Sequence, residues 1–555
     1  MRLPEALASI LAKYNVDYAF TVPAEGILPI LRGLLDVGIR VINARFEPSA
    51  GFMAIAYSRA LLKPAVVIAT AGPGILGLTS PIAQAYIEGD PLVVISISIN
   101  DERGTAMHQF PRIDAQLNVA KPITKASLTI RSGDDVYQVM AKAFSIALSG
   151  KPGPVYVEVP SMLLSSEVNV GGGVGYVVER PEPKPEAVDE AADLLANAEY
   201  PVIIVGRGVY QSGACGLAVK LAEMLDAPIA TTVMAKGAIP PSHRLYAGVA
   251  AGRAGNLVAY EVLRRSDVIL AVGNRFSEIG TGRYSLEIRG KLIHVNVDDY
   301  DLGRAYKPYL AILSDAGAFL RALISKLSKM NIRRRDYVYR DLKELWALEE
   351  RELSEYSKEA SGPIKPWEVV RAVRDVLGRG RERVFIGDVG AHRIETFIMP
   401  IYEGERYITT TSYVSMGLAV PGAVAISVVK PDYESIAFVG DGGFLMTGLE
   451  VSTAVQYGAK PKVIVFNDSS YRVLGIYEKV RYGKYTDSLV KLSSVDFAAL
   501  AKSLGADGFA IRDRGELRDL LTEALQSDRP TVVDVRVDPS SVPIPYQRLY
   551  GIKRI

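Results

Sequence analysis

The sequence predicts an α/β protein built of three doubly wound parallel-sheet domains, and three observations carry that reading. Strand-like and helix-like stretches alternate along the whole chain, the pattern of parallel sheets joined by crossover helices. Its 555 residues suit three or four domains. Two stretches of different composition, one rich in glycine and proline and one densely charged, break the alternation into three blocks of similar size.

In the first block, residues 1–165, VDYAFTVP, GIRVINA, PAVVIATAGP, PLVVISISI and KPGPVYVEVP read as strands, with helices such as PSAGFMAIAYSRALL between them. Residues 166–187 run from GGGVGY to PEPKPEA and form a linker. The second block, 188–330, carries the strands PVIIVGRG, DVILAVG and KLIHVNVD. Residues 331–361, including RDLKELWALEERELSEYSKEA, read as a helical connector whose charges form a solvated face. The third block runs from 362 to 545 and leaves a tail at 546–555. No short-period repeat is present. The similar style of the blocks hints at three related sheets.

Composition narrows the function. The chain is 49% hydrophobic and 23% charged, ordinary for a soluble enzyme. A net charge of +2 offers no general attraction to nucleic acid or membrane. Cys215 is the single cysteine, so no internal disulfide forms, which suits a reducing compartment. The N-terminus lacks a charged-then-apolar signal pattern, and no apolar run reaches the roughly 18 residues of a membrane helix. A cytoplasmic protein without nucleic-acid or membrane partners is expected. Four histidines, at 108, 243, 294 and 392, argue against a histidine-rich metal site.

The most informative stretch lies in the third block. The run SIAFVG leads into Gly440-Asp441-Gly442-Gly443, a helical run follows, and the strand KVIVFND ends at Asn467-Asp468. Two carboxylates thus arrive at the C-terminal ends of two strands, beside glycines that open a helix and let backbone amides approach an anion. Magnesium takes about six oxygens and keeps some from phosphates. Asp441, Asp468 and a backbone carbonyl in the turn Asp468-Ser469-Ser470-Tyr471 could supply three of them. An ordinary strand-to-helix turn is the competing reading, weakened by the second carboxylate 27 residues on.

Gly440-Asp441-Gly442 followed after 24 residues by Asn467 resembles the thiamin diphosphate signature. Across all three blocks the chain resembles the acetolactate synthase-like branch of the thiamin diphosphate-dependent enzymes, which includes pyruvate oxidases and 2-oxo acid decarboxylases. The resemblance implies pyrimidine-binding, central and diphosphate-binding domains in that order, with thiamin diphosphate and Mg2+ as cofactors. It implies Asp441, Asp468 and the Ser470 carbonyl as metal ligands, with Gly440, Gly442, Gly443 and Tyr471 around the cofactor. Many members carry asparagine where Asp468 stands. Gly390-Ala391-His392 matches the turn that contacts the diphosphate, and a plain surface residue is the alternative for His392. Glu47, in Arg45-Phe46-Glu47-Pro48, matches the glutamate that holds the pyrimidine nitrogen N1′ and drives the imino tautomer, a task suited to a partly buried carboxyl. Without the resemblance, Glu47 reads as a favourable charge at a helix N-terminus. Met416 matches the residue that props the cofactor in its bent form, and the Val414 carbonyl would accept from its amino group. Gly72, in Thr70-Ala71-Gly72-Pro73-Gly74, matches a turn close to the pyrimidine. In this family the glutamate and the diphosphate site come from different subunits, which implies a homodimer or homotetramer. No separate regulatory subunit is indicated.

Departures from the synthases fall on the substrate side. His108-Gln109 stands where they carry a phenylalanine-glutamine pair. The arginine that meets the second substrate's carboxylate falls at Ile279, which cannot make that contact. Arg283, read as one helical turn on, is a candidate substitute. The tryptophan favouring a larger second keto acid falls at Tyr477. Val22-Pro23-Ala24-Glu25-Gly26 carries an acid where the synthases have glycine. Glu25 and His108 are therefore candidate proton carriers, or polar loop residues. In the central block, Gly206-Arg207-Gly208 lacks the third glycine of a dinucleotide fingerprint, because Gln211 stands there. Thr231-Thr232, Lys236-Gly237-Ala238, Gly252-Arg253, Asn274-Arg275-Phe276 and Asp298 resemble flavin-binding stretches and leave FAD occupancy open.

The sequence thus predicts a thiamin diphosphate- and Mg2+-dependent enzyme that decarboxylates a 2-oxo acid and carries out carboligation through an altered pocket. A simple 2-oxo acid decarboxylase or an FAD-dependent pyruvate oxidase is the runner-up. A non-catalytic cofactor-binding or regulatory paralogue is the alternative of another class.

Overall fold

A computed structural model describes residues 1–99, 114–169, 175–358 and 362–552. It contains three six-stranded sheets in which the paired strands are parallel. The first holds β1 (Tyr18–Thr21), β2 (Arg40–Asn43), β3 (Ala65–Ala69), β4 (Leu92–Ser98), β5 (Ala126–Thr129) and β6 (Val155–Pro160), in the order β2-β1-β3-β4-β6-β5. The second holds β7 (Pro201–Val205), β8 (Ile229–Thr231), β9 (Tyr246–Val249), β10 (Val268–Val272), β11 (Lys291–Asn296) and β12 (Leu310–Leu313), in the order β12-β11-β10-β7-β8-β9. The third holds β13 (Arg383–Gly387), β14 (Glu405–Ile408), β15 (Glu434–Gly440), β16 (Lys462–Asn467), β17 (Asp507–Ile511) and β18 (Thr531–Arg536), in the order β14-β13-β15-β16-β18-β17. Every residue of β3, β4, β7, β10 and β13 is buried, because helices cover both faces of a parallel sheet.

The three sheets are not equivalent. Counted from its own first strand, the first sheet runs 2-1-3-4-6-5, and so does the third. The central sheet runs 3-2-1-4-5-6 from its other edge, the order of dinucleotide-binding sheets.

One core joins the first and third sheets. The helix Ala419–Val429 is apolar on all sides and buried along its whole length. It packs on the helix Glu47–Leu61, with Phe52, Met53 and Ala56 in the same apolar cluster as Val420, Ala423 and Val424. The approach is close enough that a Cβ on Gly422 would lie 3.0 Å from the Cβ of Ala56.

The charged connector forms the helix Tyr337–Lys358, and its acidic face is only partly solvated. Glu349 is fully buried, where Arg548 pairs with it at 3.3 Å and Asn256 donates to it at 3.0 Å. Arg548 lies on the helix Ile544–Tyr550, so this helix, where the tail was expected to begin, docks against connector and central domain.

Candidate active site

In a doubly wound sheet the strand order reverses at one point, and a crevice opens there at the carboxyl ends of two adjacent strands. Each of the three sheets places sequence-predicted residues at that point. In the third sheet it lies between β13 and β15. From β13 the chain enters Asp388-Val389-Gly390 and the short helix Ala391–Glu395, and from β15 it enters the helix Asp441–Thr447. The next strand, β16, delivers Asp468 and Ser470 beside them.

Asp441 is buried and accepts from the Gly442 amide at 2.8 Å and the Ser470 amide at 3.0 Å. Burial, then the neighbouring Asp468, pushes its carboxyl up to about 7. Burial also raises Asp468, although Arg472 opposes it from 3.6 Å, and the Ser470 hydroxyl donates to Asp468 at 2.7 Å. Two desolvated carboxylates thus face one another, and a divalent cation would relieve both. Among the described residues no group of three or more His, Cys, Asp or Glu forms a metal-holding cluster, so other ligands of such an ion would be backbone, phosphate or water.

The glycines in this crevice are dictated by contact. A Cβ on Gly442 would stand 2.5 Å from the Tyr471 ring, and one on Gly390 would stand 2.5 Å from the His392 ring. A Cβ on Gly440 would meet the same imidazole at 3.3 Å, and one on Gly443 would meet Val439 at 2.9 Å. His392 and Ala391 are buried, and the imidazole stacks on Phe466 with ring centroids 5.4 Å apart. Burial, with help from Arg393 and Arg472, lowers its pKa to about 3, so it is neutral at physiological pH. Its Nε2 is buried without a hydrogen-bond partner. His392 is therefore no plain surface residue. An unpaired ring nitrogen, glycine-lined backbone and two carboxylates fit a metal-bound diphosphate.

Asp388, which sequence reasoning passed over, organises this crevice. Its carboxylate accepts from the amides of Val389 at 2.7 Å, Gly417 at 3.0 Å and Ala419 at 3.1 Å. It thereby ties the end of β13 to the turn that follows Met416. Met416 is half-buried, and Val414 has φ 60°, left-handed backbone that a β-branched residue rarely adopts.

In the first sheet the reversal lies between β1 and β3. Pro23 and Glu25 follow β1, both exposed, and Gly72 follows β3 with φ 64°. The Gly72 amide donates to Gln116 Oε1 at 2.5 Å, and the same side chain donates to the Ile97 carbonyl at 3.0 Å, so Gln116 fixes the turn. Glu47 opens its helix and is half-buried, four residues beyond the end of β2. Its carboxylate makes no hydrogen bond or ion pair among the described residues and does not meet Asp441 or Asp468 within the chain. His108 and Gln109 lie outside the described residues.

Ile279 packs at the edge of the third domain's core. Arg283 is not one helical turn on. The helix Ile279–Thr281 is a single 3-10 turn, and both Arg283 (φ 54°) and Tyr284 (φ 60°) are left-handed. That reversal sets the Arg283 guanidinium over the Tyr477 ring at 4.8 Å, bringing together two positions singled out separately in the sequence.

In the central sheet the reversal lies between β7 and β10. A cavity there, with an open volume of about 1000 Å3 including its mouth, is lined by Arg207, Gly208, Thr232, Asn274 and Arg275. Other flavin-like positions lie elsewhere. Lys236 is buried and donates to the Thr396 carbonyl, Arg253 faces Glu287, and Asp298 pairs with Lys151 at 2.8 Å.

Comparison with known proteins agrees with this geometry. Residues 1–117 match the N-terminal TPP binding domain of thiamine pyrophosphate enzymes, 188–323 the central domain, and 388–535 the C-terminal TPP binding domain. The chain is 30% identical to a probable acetolactate synthase large subunit of Methanocaldococcus jannaschii, over 97% of this chain and 92% of the relative. It is 30% identical to an acetolactate synthase of Mycobacterium bovis, over 96% and 87%. It is 31% identical to an acetolactate synthase large subunit of Parasynechococcus marenigrum, over the same shares.

Proposed function

Since the chain belongs to the thiamine pyrophosphate enzyme family, we propose that it decarboxylates a 2-oxo acid and joins the remaining carbons to a second carbonyl, using Mg2+ and an altered acceptor pocket. It is an acetolactate synthase-like enzyme dependent on thiamin diphosphate and acting on 2-oxo acids. The crevice between β13 and β15 supports the reading most directly, because an ion and its phosphates would relieve its buried acid pair and give the unpaired His392 Nε2 a partner.

Thiamin diphosphate, when bound, supplies the electron sink on which a 2-oxo acid loses carbon dioxide. Asp441, Asp468 and the Ser470 carbonyl would hold the Mg2+. Gly390, Ala391, His392, Gly440, Gly442, Gly443 and Tyr471 would surround the diphosphate. Glu47 would share a proton with N1′ of the pyrimidine, beside Pro23 and Gly72. The Val414 carbonyl would accept from the exocyclic amino group, and Met416 would keep the two rings folded together. Glu25 and His108 would serve proton transfer near the substrate, and Gln109 would hydrogen-bond there.

Arg283 would meet the carboxylate of the second 2-oxo acid in place of the arginine absent at 279, steadied by Tyr477. Glu47 would reach the diphosphate crevice of a second copy, giving a homodimer or a homotetramer. Large apolar side chains exposed around both half-sites support this: Leu28, Phe46 and Leu76 in the first domain, and Leu445, Met446 and Leu449 in the third. The central cavity would take FAD, which the absorbance spectrum of purified protein tests. No helix is long and apolar enough to cross a membrane among the described residues, and the cytoplasm is the proposed location.

Incubation of purified protein with thiamin diphosphate, Mg2+ and pyruvate tests the reaction. Acetolactate is the expected product. Acetaldehyde alone would select a decarboxylase, peroxide an oxidase, and no turnover with any 2-oxo acid would defeat the proposal. Glu47→Gln should lower turnover by about 100-fold or more while the fold survives.

A further inference from the structure

One helix of the first domain grips the segment that carries Val414. Gln84 and Glu88 lie four residues apart on the helix Thr79–Glu88, so their side chains share a face. Both are buried. Glu88 Oε1 accepts from the Thr410 hydroxyl at 2.5 Å, the Thr411 amide at 2.8 Å and the Ser412 amide at 2.9 Å. The Ser415 hydroxyl donates to Gln84 Oε1. The Thr410 hydroxyl oxygen also accepts from the Val414 amide at 3.2 Å. The segment is thus tied down on both sides of the residue whose backbone is left-handed. A β-branched residue stays in that conformation only where its surroundings over-determine it, and these contacts do so.

The grip is itself braced. Glu88 Oε2 pairs with Arg59 at 2.5 Å, and Arg59 also donates to the Thr409 carbonyl at 2.5 Å. Arg59 meets Asp90 at 2.7 Å, and Arg207 of the central domain meets Asp90 from the other side. Two cations and two anions close a neutral buried cluster at the junction of three domains, an arrangement that resists displacement because an unpaired member would be stranded away from water.

We propose that Gln84 and Glu88 are positioning residues, a two-point clamp that sets the Val414 carbonyl for the cofactor's amino group. The proposal rests on the assignment of Val414 made above. Neither residue touches substrate or cofactor in that reading, and each acts through the 410–415 segment.

The test separates the clamp from that assignment. Amide hydrogen exchange of residues 410–416 is followed in the cofactor-free protein, and thiamin diphosphate affinity, kcat and KM are then measured with pyruvate. Thr410→Val removes the hydroxyl linking Glu88 to Val414 and leaves all four charges paired. Glu88→Gln removes the charge at constant shape. Thr410→Val should speed exchange across the segment by about 10- to 100-fold, the worth of one hydrogen bond to a charged group. Exchange in β13 and β15 should not change. Turnover should fall by a similar factor while KM holds, and Glu88→Gln should exceed both effects. Unchanged exchange in Thr410→Val would overturn the clamp, even if Glu88→Gln fails to fold. Faster exchange with undiminished turnover and cofactor affinity would overturn the role given to Val414 and with it the positioning claim.

Discussion

Glu395 shows what burial does to a single side chain outside the catalytic set. Burial drives its carboxyl up to about 7, with Arg472 opposing, against an ordinary 4.5. The folded chain therefore holds this proton more tightly than the unfolded chain. The associated stability is fully present below about pH 4.5 and is lost as pH rises through about 7, a change of roughly 3 kcal/mol over that window. Glu395→Gln should flatten this part of the profile, so denaturant unfolding at pH 5 and pH 8 should differ less in the variant than in the parent. At this scale the sequence was legible in placement: Asp441, Asp468 and His392, singled out at strand ends beside glycine, gather in one crevice. Asp388, Gln116 and Glu88 escaped notice because their partners are remote. Glu88 meets Thr410 across 322 residues, and nothing local marks an acid whose donors arrive from another domain.

Among the elements, strands such as β7, β10, β15 and β16 were legible because each is a short apolar run that ends at a glycine or leads into an acid, whereas β5, with all four residues only half-buried, offers no such run. The Ile279–Arg283 stretch was misread for a physical reason: helical spacing was assumed where two consecutive left-handed residues turn the chain. On the helix Tyr337–Lys358, Glu344, Glu350 and Glu355 are exposed, and Glu349 alone of its glutamates is buried, because its partner, Arg548, comes from the helix Ile544–Tyr550. The turn at Arg283 carries an expectation about specificity. Arg283→Ala should raise KM for the second 2-oxo acid by about 10- to 100-fold, the loss of one charge-assisted contact, and leave decarboxylation of the first unchanged. The ratio of ligated product to free aldehyde, followed against acceptor concentration, measures it.

In the whole molecule, three crevices at three strand-order reversals hold three sets of motif residues, and this regularity was only partly visible in the sequence. Similar block size suggested three related sheets, but only strand order shows that the first and third share a topology while the central one differs. Strand order depends on pairings between distant segments, and local periodicity does not encode it.

That shared topology has a stoichiometric consequence. A chain with two like sheets carries one acid half-site at Glu47 and one phosphate half-site at Asp441, and in the proposed dimer each half is completed by the other copy. A chain with Glu47→Gln and a chain with Asp441→Asn should each be inactive alone. Mixed and allowed to exchange subunits, they would form hybrids in which one of two sites is wholly intact. With random pairing of equal amounts, roughly a quarter of the parental activity should return. Had both halves of a site come from one chain, no mixture of the two would regain any.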